Sequence, residues 1–191
     1  MKHRGDTLIE VLFAFAILAT IIGFSFTGAL AAYKSALAAQ NRTQATFVAQ
    51  YQADGLKTYR DSLDWDGSSG LPSFLGGSAA PALPNMAQII SNNTVFCMQA
   101  VAPTPGLNVA PVWRVETSDG ICNTNSNSVA KTLAPNLDSP QISITLEDDQ
   151  PVSPNPANPN RKVATVVVSW QPRNTTIREQ VTNTIILTKE E

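Results

Sequence analysis

The hydrophobic positions of this chain are concentrated near its N-terminus. No charged residue occurs from Val11 through Tyr33, and 22 of these residues form the run VLFAFAILATIIGFSFTGALAA. At about 1.5 Å per residue, a helix of that length crosses the roughly 30 Å hydrocarbon layer of a bilayer. The run is apolar on every side, whereas the core helix of a soluble protein keeps a polar face. The pattern therefore predicts a membrane-spanning helix.

The helical pattern continues beyond this run, but there the apolar residues lie on only one side of the helix. No proline occurs between Asp6 and Leu71. At about 100° per residue, the apolar residues of the second half fall within an arc of roughly 140°. These residues are Leu37, Ala45, Val48, Tyr51, Leu56, Tyr59 and Leu63. We expect one helix from about Thr7 to Arg60, on the order of 80 Å long, apolar over residues 6–33 and amphipathic over residues 34–60.

After Asp61 the pattern changes from helical to strand-like. Alternating or continuous apolar segments rich in Val, Ile and Thr predict strands at 94–102, 112–117, 141–147, 162–171 and 180–189. Segments rich in Gly, Pro, Ser and Asn predict loops at 61–85, 123–140 and 148–160. A helix followed by strands predicts an α+β fold, in which an antiparallel sheet within 61–191 packs on the amphipathic half-helix. We expect Trp113 and Trp170 in the core or on a sheet face.

Composition and charge exclude several classes of function. Only 15% of the residues are charged and the formal net charge is -2, without the clustered Lys and Arg that a nucleic-acid partner requires. The single histidine, His3, lies at the extreme N-terminus. The sequence has no nucleophile elbow, phosphate-binding glycine loop or metalloprotease helix. We therefore expect a protein that is not an enzyme and uses no cofactor or metal.

The residues before the apolar run carry the candidate chemistry. Lys2 and Arg4 precede Gly5, and Glu10 stands at the entrance of the uncharged span. A carboxylate at this place is costly to bury, so Glu10 is a functional candidate that needs a cationic partner. The alternative is that Glu10 rests among the lipid headgroups.

The string RGDTLIEVL, residues 4–12, runs directly into the long uncharged helix. This combination resembles the N-terminal signal of type IV pilins and of the related pseudopilins of type II secretion, over about the first 33 residues. In that family a prepilin peptidase cuts on the cytoplasmic side, immediately after the glycine. The resemblance implies a leader of residues 1–5, cleavage between Gly5 and Asp6, and Glu10 as the fifth residue of the mature chain. It also implies that Glu10 pairs with the new α-amino group of a neighbouring subunit during assembly.

The chain departs from the family pattern at Asp6, where the family most often has a phenylalanine that becomes N-methylated. The resemblance therefore makes Asp6 the candidate methylation site, on a residue of a different type. Cleavage would also remove Lys2 and Arg4. The basic residues would fall from 13 to 11 against 15 acidic residues, so the mature chain would carry a charge of -4.

The resemblance implies a structural subunit, a major or minor pilin. It would be held in the cytoplasmic (inner) membrane as a single-pass precursor with its C-terminal domain outside. An inner-membrane platform with a cytoplasmic ATPase would then assemble it with other pilin subunits into a surface filament for adhesion, motility or DNA uptake. A pseudopilin of a type II secretion system is one alternative. An anchored, non-polymerising exported binding protein, or a secreted protein cut near Ala31 or Ala38, is another.

Cys97 and Cys122 are the only cysteines, with 24 residues between them. An exported domain meets an oxidising environment in many bacteria, which favours a disulfide between them. In the chain-entropy model, closing a loop of this size stabilises the fold by roughly 3.5 kcal/mol. Many members of the pilin family also carry a disulfide in the C-terminal region.

Overall fold

A computed structural model of the chain describes residues 6–62, 95–101, 112–118, 120–124, 128–148, 161–172 and 175–188. Over these residues it has the predicted α+β arrangement, a long N-terminal helix followed by antiparallel strands. The chain divides into two compact units, Met1–Asn41 and Arg42–Glu191. Helix α1 spans Asp6–Asp61 and is the element that both units share.

All five predicted strands are present, with ends that differ from the prediction by at most three residues. They are β1 (Cys97–Val101), β2 (Val112–Glu116), β3 (Gln141–Asp148), β4 (Arg161–Trp170) and β5 (Glu179–Thr188). Of the predicted loops, residues 63–85 and 149–160 lie outside the described residues.

The prediction of a loop over 123–140 is wrong for part of that segment. It contains a short helix, α2 (Val129–Leu133), preceded along the chain by a π-helical turn at Gly120–Thr124. The Ser128 side chain caps α2 by accepting a hydrogen bond from the backbone N–H of Lys131 at 3.2 Å. A helix of five residues is too short to produce a periodic pattern, so it could not be predicted from the apolar positions.

The strands form two antiparallel sheets. One pairs β1 with β2, and the other has the order β3–β4–β5. An isolated bridge joins Phe96, just before β1, to Ile144 of β3 through two backbone hydrogen bonds of 2.8 and 3.1 Å. In β3 and β4 every second residue is buried, because one face of a half-buried sheet points to the core.

The core of the second unit lies between the strands and residues 42–61 of α1. The apolar stripe of the helix is only partly as predicted: Ala45, Val48, Leu56 and Tyr59 are buried, while Tyr51 is half-buried. Leu37 belongs to the first unit and is exposed, and Leu63 lies outside the described residues. The strands contribute mainly Ile, Val and Leu side chains and Trp170, which is buried as predicted.

A polar residue occupies the centre of this apolar interface. Gln52 has no exposed surface, and its amide forms two hydrogen bonds with the backbone of Met98 in β1. Its Nε2 donates to the Met98 carbonyl at 3.0 Å, and its Oε1 accepts from the Met98 N–H at 2.7 Å. The side chain therefore satisfies both backbone groups of one strand residue, as a neighbouring strand would.

Two arginines of α1 contact opposite ends of β5. Arg42 lies 3.5 Å from the Glu179 carboxylate, and Arg60 Nη1 donates to the Thr188 carbonyl at 2.6 Å. The helix from 42 to 60 rises about 27 Å and the strand from 179 to 188 about 30 Å, so the two run alongside each other in the same direction. The first ion pair is largely exposed and stabilises little, but both contacts fix the direction of the helix.

Gly55 allows a close approach between α1 and β2. Trp113 lies against the helix at this position, half-buried, with its ring 4.9 Å from that of Tyr51. A Cβ on Gly55 would lie less than 3.0 Å from three carbon atoms of the Trp113 ring. The glycine is therefore needed for space, although it lowers the intrinsic helix propensity of the segment.

We expect Gln52→Ala to lower the free energy of unfolding of the second unit by about 2–5 kcal/mol, because two buried backbone groups of Met98 lose their partners. Denaturant unfolding of the full chain in detergent, monitored by tryptophan fluorescence, measures this decrease in the free energy of unfolding. Gln50→Ala is the matched control, since Gln50 is exposed on the same helix and its replacement should change stability by less than about 0.5 kcal/mol. Equal effects of the two substitutions would contradict the role of Gln52.

We expect Gly55→Ala to destabilise the second unit by about 1–3 kcal/mol, since the added methyl group overpacks Trp113. In a Trp113→Ala background the same change should instead stabilise the helix by up to about 1 kcal/mol, because the obstructing ring is gone. A double-mutant cycle of unfolding free energies checks this reversal of sign. If Gly55→Ala changed the free energy of unfolding equally in the wild-type and Trp113→Ala chains, the Trp113 ring would not be the reason for the glycine.

Candidate functional site

The candidate site is the apolar part of α1 in the first unit. Its large apolar side chains, from Ile9 to Tyr33, are each between 45 and 79% exposed. Among the described residues, this is the one helix long and apolar enough to cross a membrane, and none of the most apolar 18-residue window is buried. An exposed apolar surface of this size is typical of sites that contact lipid or another protein.

The serine and threonine side chains inside the apolar segment form hydrogen bonds within the helix itself. Thr20 donates to the Ile17 carbonyl at 2.7 Å, and Ser25 donates to the Ile21 carbonyl at 2.8 Å. Thr27 likewise bonds to a carbonyl one turn earlier, at 3.0 Å. Because these hydroxyls need no external partner, they can enter hydrocarbon at little cost.

Glu10 is the exception in this segment. It is exposed and is the only charged residue between Ile9 and Tyr33. In the part of the chain that the structure describes, no basic side chain forms an ion pair with it. A carboxylate surrounded by apolar side chains is costly to transfer from water unless a cation accompanies it. Any covering of this helix by lipid or protein therefore has to provide a counter-charge or leave Glu10 at a polar boundary.

The predicted processing site is only partly within the described residues. Gly5 lies outside them, and Asp6 is the first residue of α1. Glu10 follows Asp6 by four residues, which is about one helical turn. The carboxylate is thus close to the helix N-terminus, where unpaired backbone N–H groups carry a partial positive charge.

Gly23 and Gly28 lie in the apolar half-helix, and glycine has a lower helix propensity than alanine. The helix continues through both without a break. A Cβ at either position would have no atom within 4 Å, so nothing in the described chain requires these glycines for space. Small residues on an exposed apolar helix do allow another helix to approach closely.

Cys97 and Cys122 are joined by a disulfide, with their Cα atoms 5.8 Å apart. Both residues are buried, and the bond ties the π-helical turn to the start of β1. Cys97 directly precedes Met98, the strand residue that holds Gln52. The disulfide therefore stabilises β1, the strand whose Met98 backbone forms hydrogen bonds with Gln52 of α1.

Three structural residues of the second unit were missed by sequence reasoning. Gln52 and Arg178 each form hydrogen bonds to segments distant in the chain, and Gly55 leaves space for the Trp113 ring. Gln52 falls three to four residues from Val48, Ala49 and Leu56, so its phase on the helix would have indicated burial. Arg178 donates to the Ser139 carbonyl at 2.7 Å, a contact between residues 39 positions apart that no local pattern indicates.

No family model, curated protein or solved structure matches this chain.

Proposed function

We propose that this chain is a type IV pilin-like structural subunit, cut by a prepilin peptidase after Gly5 and assembled through the apolar half of α1 into a surface filament. The observation that carries the proposal is the exposed apolar segment from Ile9 to Tyr33 with one carboxylate, Glu10, about one turn from the proposed new N-terminus. A simple membrane anchor needs the apolar residues but not the carboxylate.

The uncovered half-helix suits a subunit that moves from a bilayer to a protein filament. Lipid chains and the apolar side chains of neighbouring helices are similar environments, so exchanging one for the other requires little free energy. The hydroxyls of Thr20, Ser25 and Thr27 keep their internal hydrogen bonds in both surroundings. The same surface can therefore store the subunit in the membrane and pack it in the filament.

Glu10 gives this packing its specificity. Cleavage after Gly5 would create an α-amino group at Asp6, at the helix end that already carries a partial positive charge. A neighbouring subunit's Glu10 placed there would meet both positive charges, and each buried charge would remove the penalty of the other. Charge pairing of this kind selects one axial offset between parallel helices, whereas apolar contacts alone allow many.

The second unit would form the outside of the filament, and no enzymatic role is proposed for it. Its disulfide and the Gln52–Met98 contacts stabilise a small domain that has to remain folded outside the cell. The assembly partners would be other pilin subunits and an inner-membrane platform driven by a cytoplasmic ATPase. Adhesion, motility and DNA uptake are the proposed roles of such a filament, and secretion is the role of the pseudopilin alternative.

We expect Glu10→Ala to reach the membrane at the wild-type level but to be depleted about a hundredfold or more from sheared surface filaments. The reason is that removing one partner of a buried ion pair costs about 3–5 kcal/mol. Immunoblots of membrane and filament fractions, from cells with the complete assembly machinery, measure both quantities.

Asp54→Ala is the matched control for this experiment, because Asp54 is an exposed acid on the same helix in the second unit. It should enter filaments normally. Normal filament levels of the Glu10→Ala variant would contradict the proposal. Absence of the wild-type chain from filaments would also contradict it and would favour an anchored binding protein.

A further inference from the structure

The start of α1 carries an uneven set of charges once the proposed cleavage has occurred. Asp6 is the first residue of the helix, and Glu10 follows about one turn later. Cleavage after Gly5 would add an α-amino group to Asp6 and remove the lysine and arginine of the leader. The nearest basic residue is then Lys34, 24 positions after Glu10. This end of the processed helix would therefore hold one positive and two negative charges.

The carboxylate of Asp6 stays beside this amino group whatever the conformation. Three covalent bonds separate the α-amino nitrogen of an aspartate from its side-chain carboxyl carbon, so the two charges lie within about 5 Å of each other. The amino group therefore has a counter-charge in its own residue. Glu10 is exposed, and no basic side chain among the described residues forms an ion pair with it. Each processed chain thus has one carboxylate that still needs a cation.

The imbalance matters where water is excluded. The large apolar side chains from Ile9 to Tyr33 are exposed, and a filament that covers them also removes water from the charges beside them. A Glu10 carboxylate that reaches the N-terminus of another copy meets its amino group, but also the carboxylate of its Asp6. Each such contact holds two negative charges and one positive charge. The partial positive charge of the helix end, about half a unit, does not balance the excess.

A subunit with an uncharged first residue avoids this excess. Its new amino group has no carboxylate in the same residue, so a Glu10 carboxylate would neutralise it one to one. Like charges brought together in one desolvated contact disfavour a wrong partner, because neither charge can keep its water. Asp6 therefore gives the chain a basis for rejecting another copy of itself, and Glu10 gives it a basis for binding a different subunit.

We infer that Glu10 of this chain pairs with a second kind of pilin-like subunit, one with an uncharged first residue, in preference to another copy of this chain. The inference rests on the proposed function, because it uses the same cleavage and the same role of Glu10. Copies of the chain would occur singly among the other subunits of the filament, so the chain would be a minor component. Asp6 is the residue that determines this specificity.

Photo-cross-linking in assembled filaments tests this preference. We would place p-benzoylphenylalanine at Ile17, a 59% exposed residue of the apolar segment, in host cells that overproduce the full chain beside their other filament subunits. Mass spectrometry of sheared filaments then gives the ratio of links between two copies to links with other subunits. We expect a low ratio for the chain with Asp6 and a ratio about tenfold higher for Asp6→Asn, which removes the charge at nearly constant size.

Asp6→Glu and Asp54→Asn are the controls, and both should keep the low ratio. The first retains an acid beside the amino group, and the second removes an exposed acid of the second unit. Masses of the N-terminal peptides verify cleavage after Gly5, and Asp6→Ser replaces Asp6→Asn if that variant is not cleaved. Equal ratios for the chain with Asp6 and its uncharged variant would overturn the inference alone. Absence of the wild-type chain from filaments would overturn the proposed function with it.

Discussion

The fold of the second unit depends on one polar contact, the pair of hydrogen bonds between the Gln52 amide and the backbone of Met98. Apolar packing alone would allow α1 to slide or rotate on the strands, because Ala, Val and Leu side chains make contacts without direction. The buried amide is satisfied only at one helix position, since both of its hydrogen bonds need the same strand residue. Neighbouring features reinforce that position: the disulfide ties Cys97, the residue before Met98, to the π-helical turn, Gly55 leaves space for the Trp113 ring, and Arg60 donates a hydrogen bond to the end of β5.

The first unit is under a different constraint, which is the exposure of its large apolar side chains from Ile9 to Tyr33. Within this segment the hydroxyls of Thr20, Ser25 and Thr27 bond to carbonyls of the helix itself, whereas no basic side chain among the described residues forms an ion pair with Glu10. An apolar surface by itself indicates only that lipid or protein lies around it. The carboxylate adds a condition that a bilayer interior does not meet and that the N-terminus of another processed subunit would meet. The proposed filament therefore accounts for both features with a single kind of partner, another processed subunit.

The sequence predicted the fold class and all five strands, because apolar periodicity and β-branched composition are local signals. It did not predict α2, whose five residues are held by the Ser128 cap and by burial. It also missed Gln52 and Gly55, because their roles depend on Met98 and Trp113, residues distant in the chain. Of the candidate site, the apolar span and the position of Glu10 followed from the sequence. The positive charge that would pair with Glu10 could not be predicted from the sequence, since it belongs to another molecule in the proposed assembly.

The mass of the N-terminal peptide, measured in membranes from cells with and without the prepilin peptidase, tests the central claim most directly. The proposal requires a chain that begins at Asp6, with or without an added methyl group, only when the peptidase is present. An intact N-terminus at Met1 or Lys2 in both samples would contradict the proposal and leave an anchored exported domain. A start near Ala32 or Ala39 would indicate an ordinary signal peptide and exclude a filament built on α1.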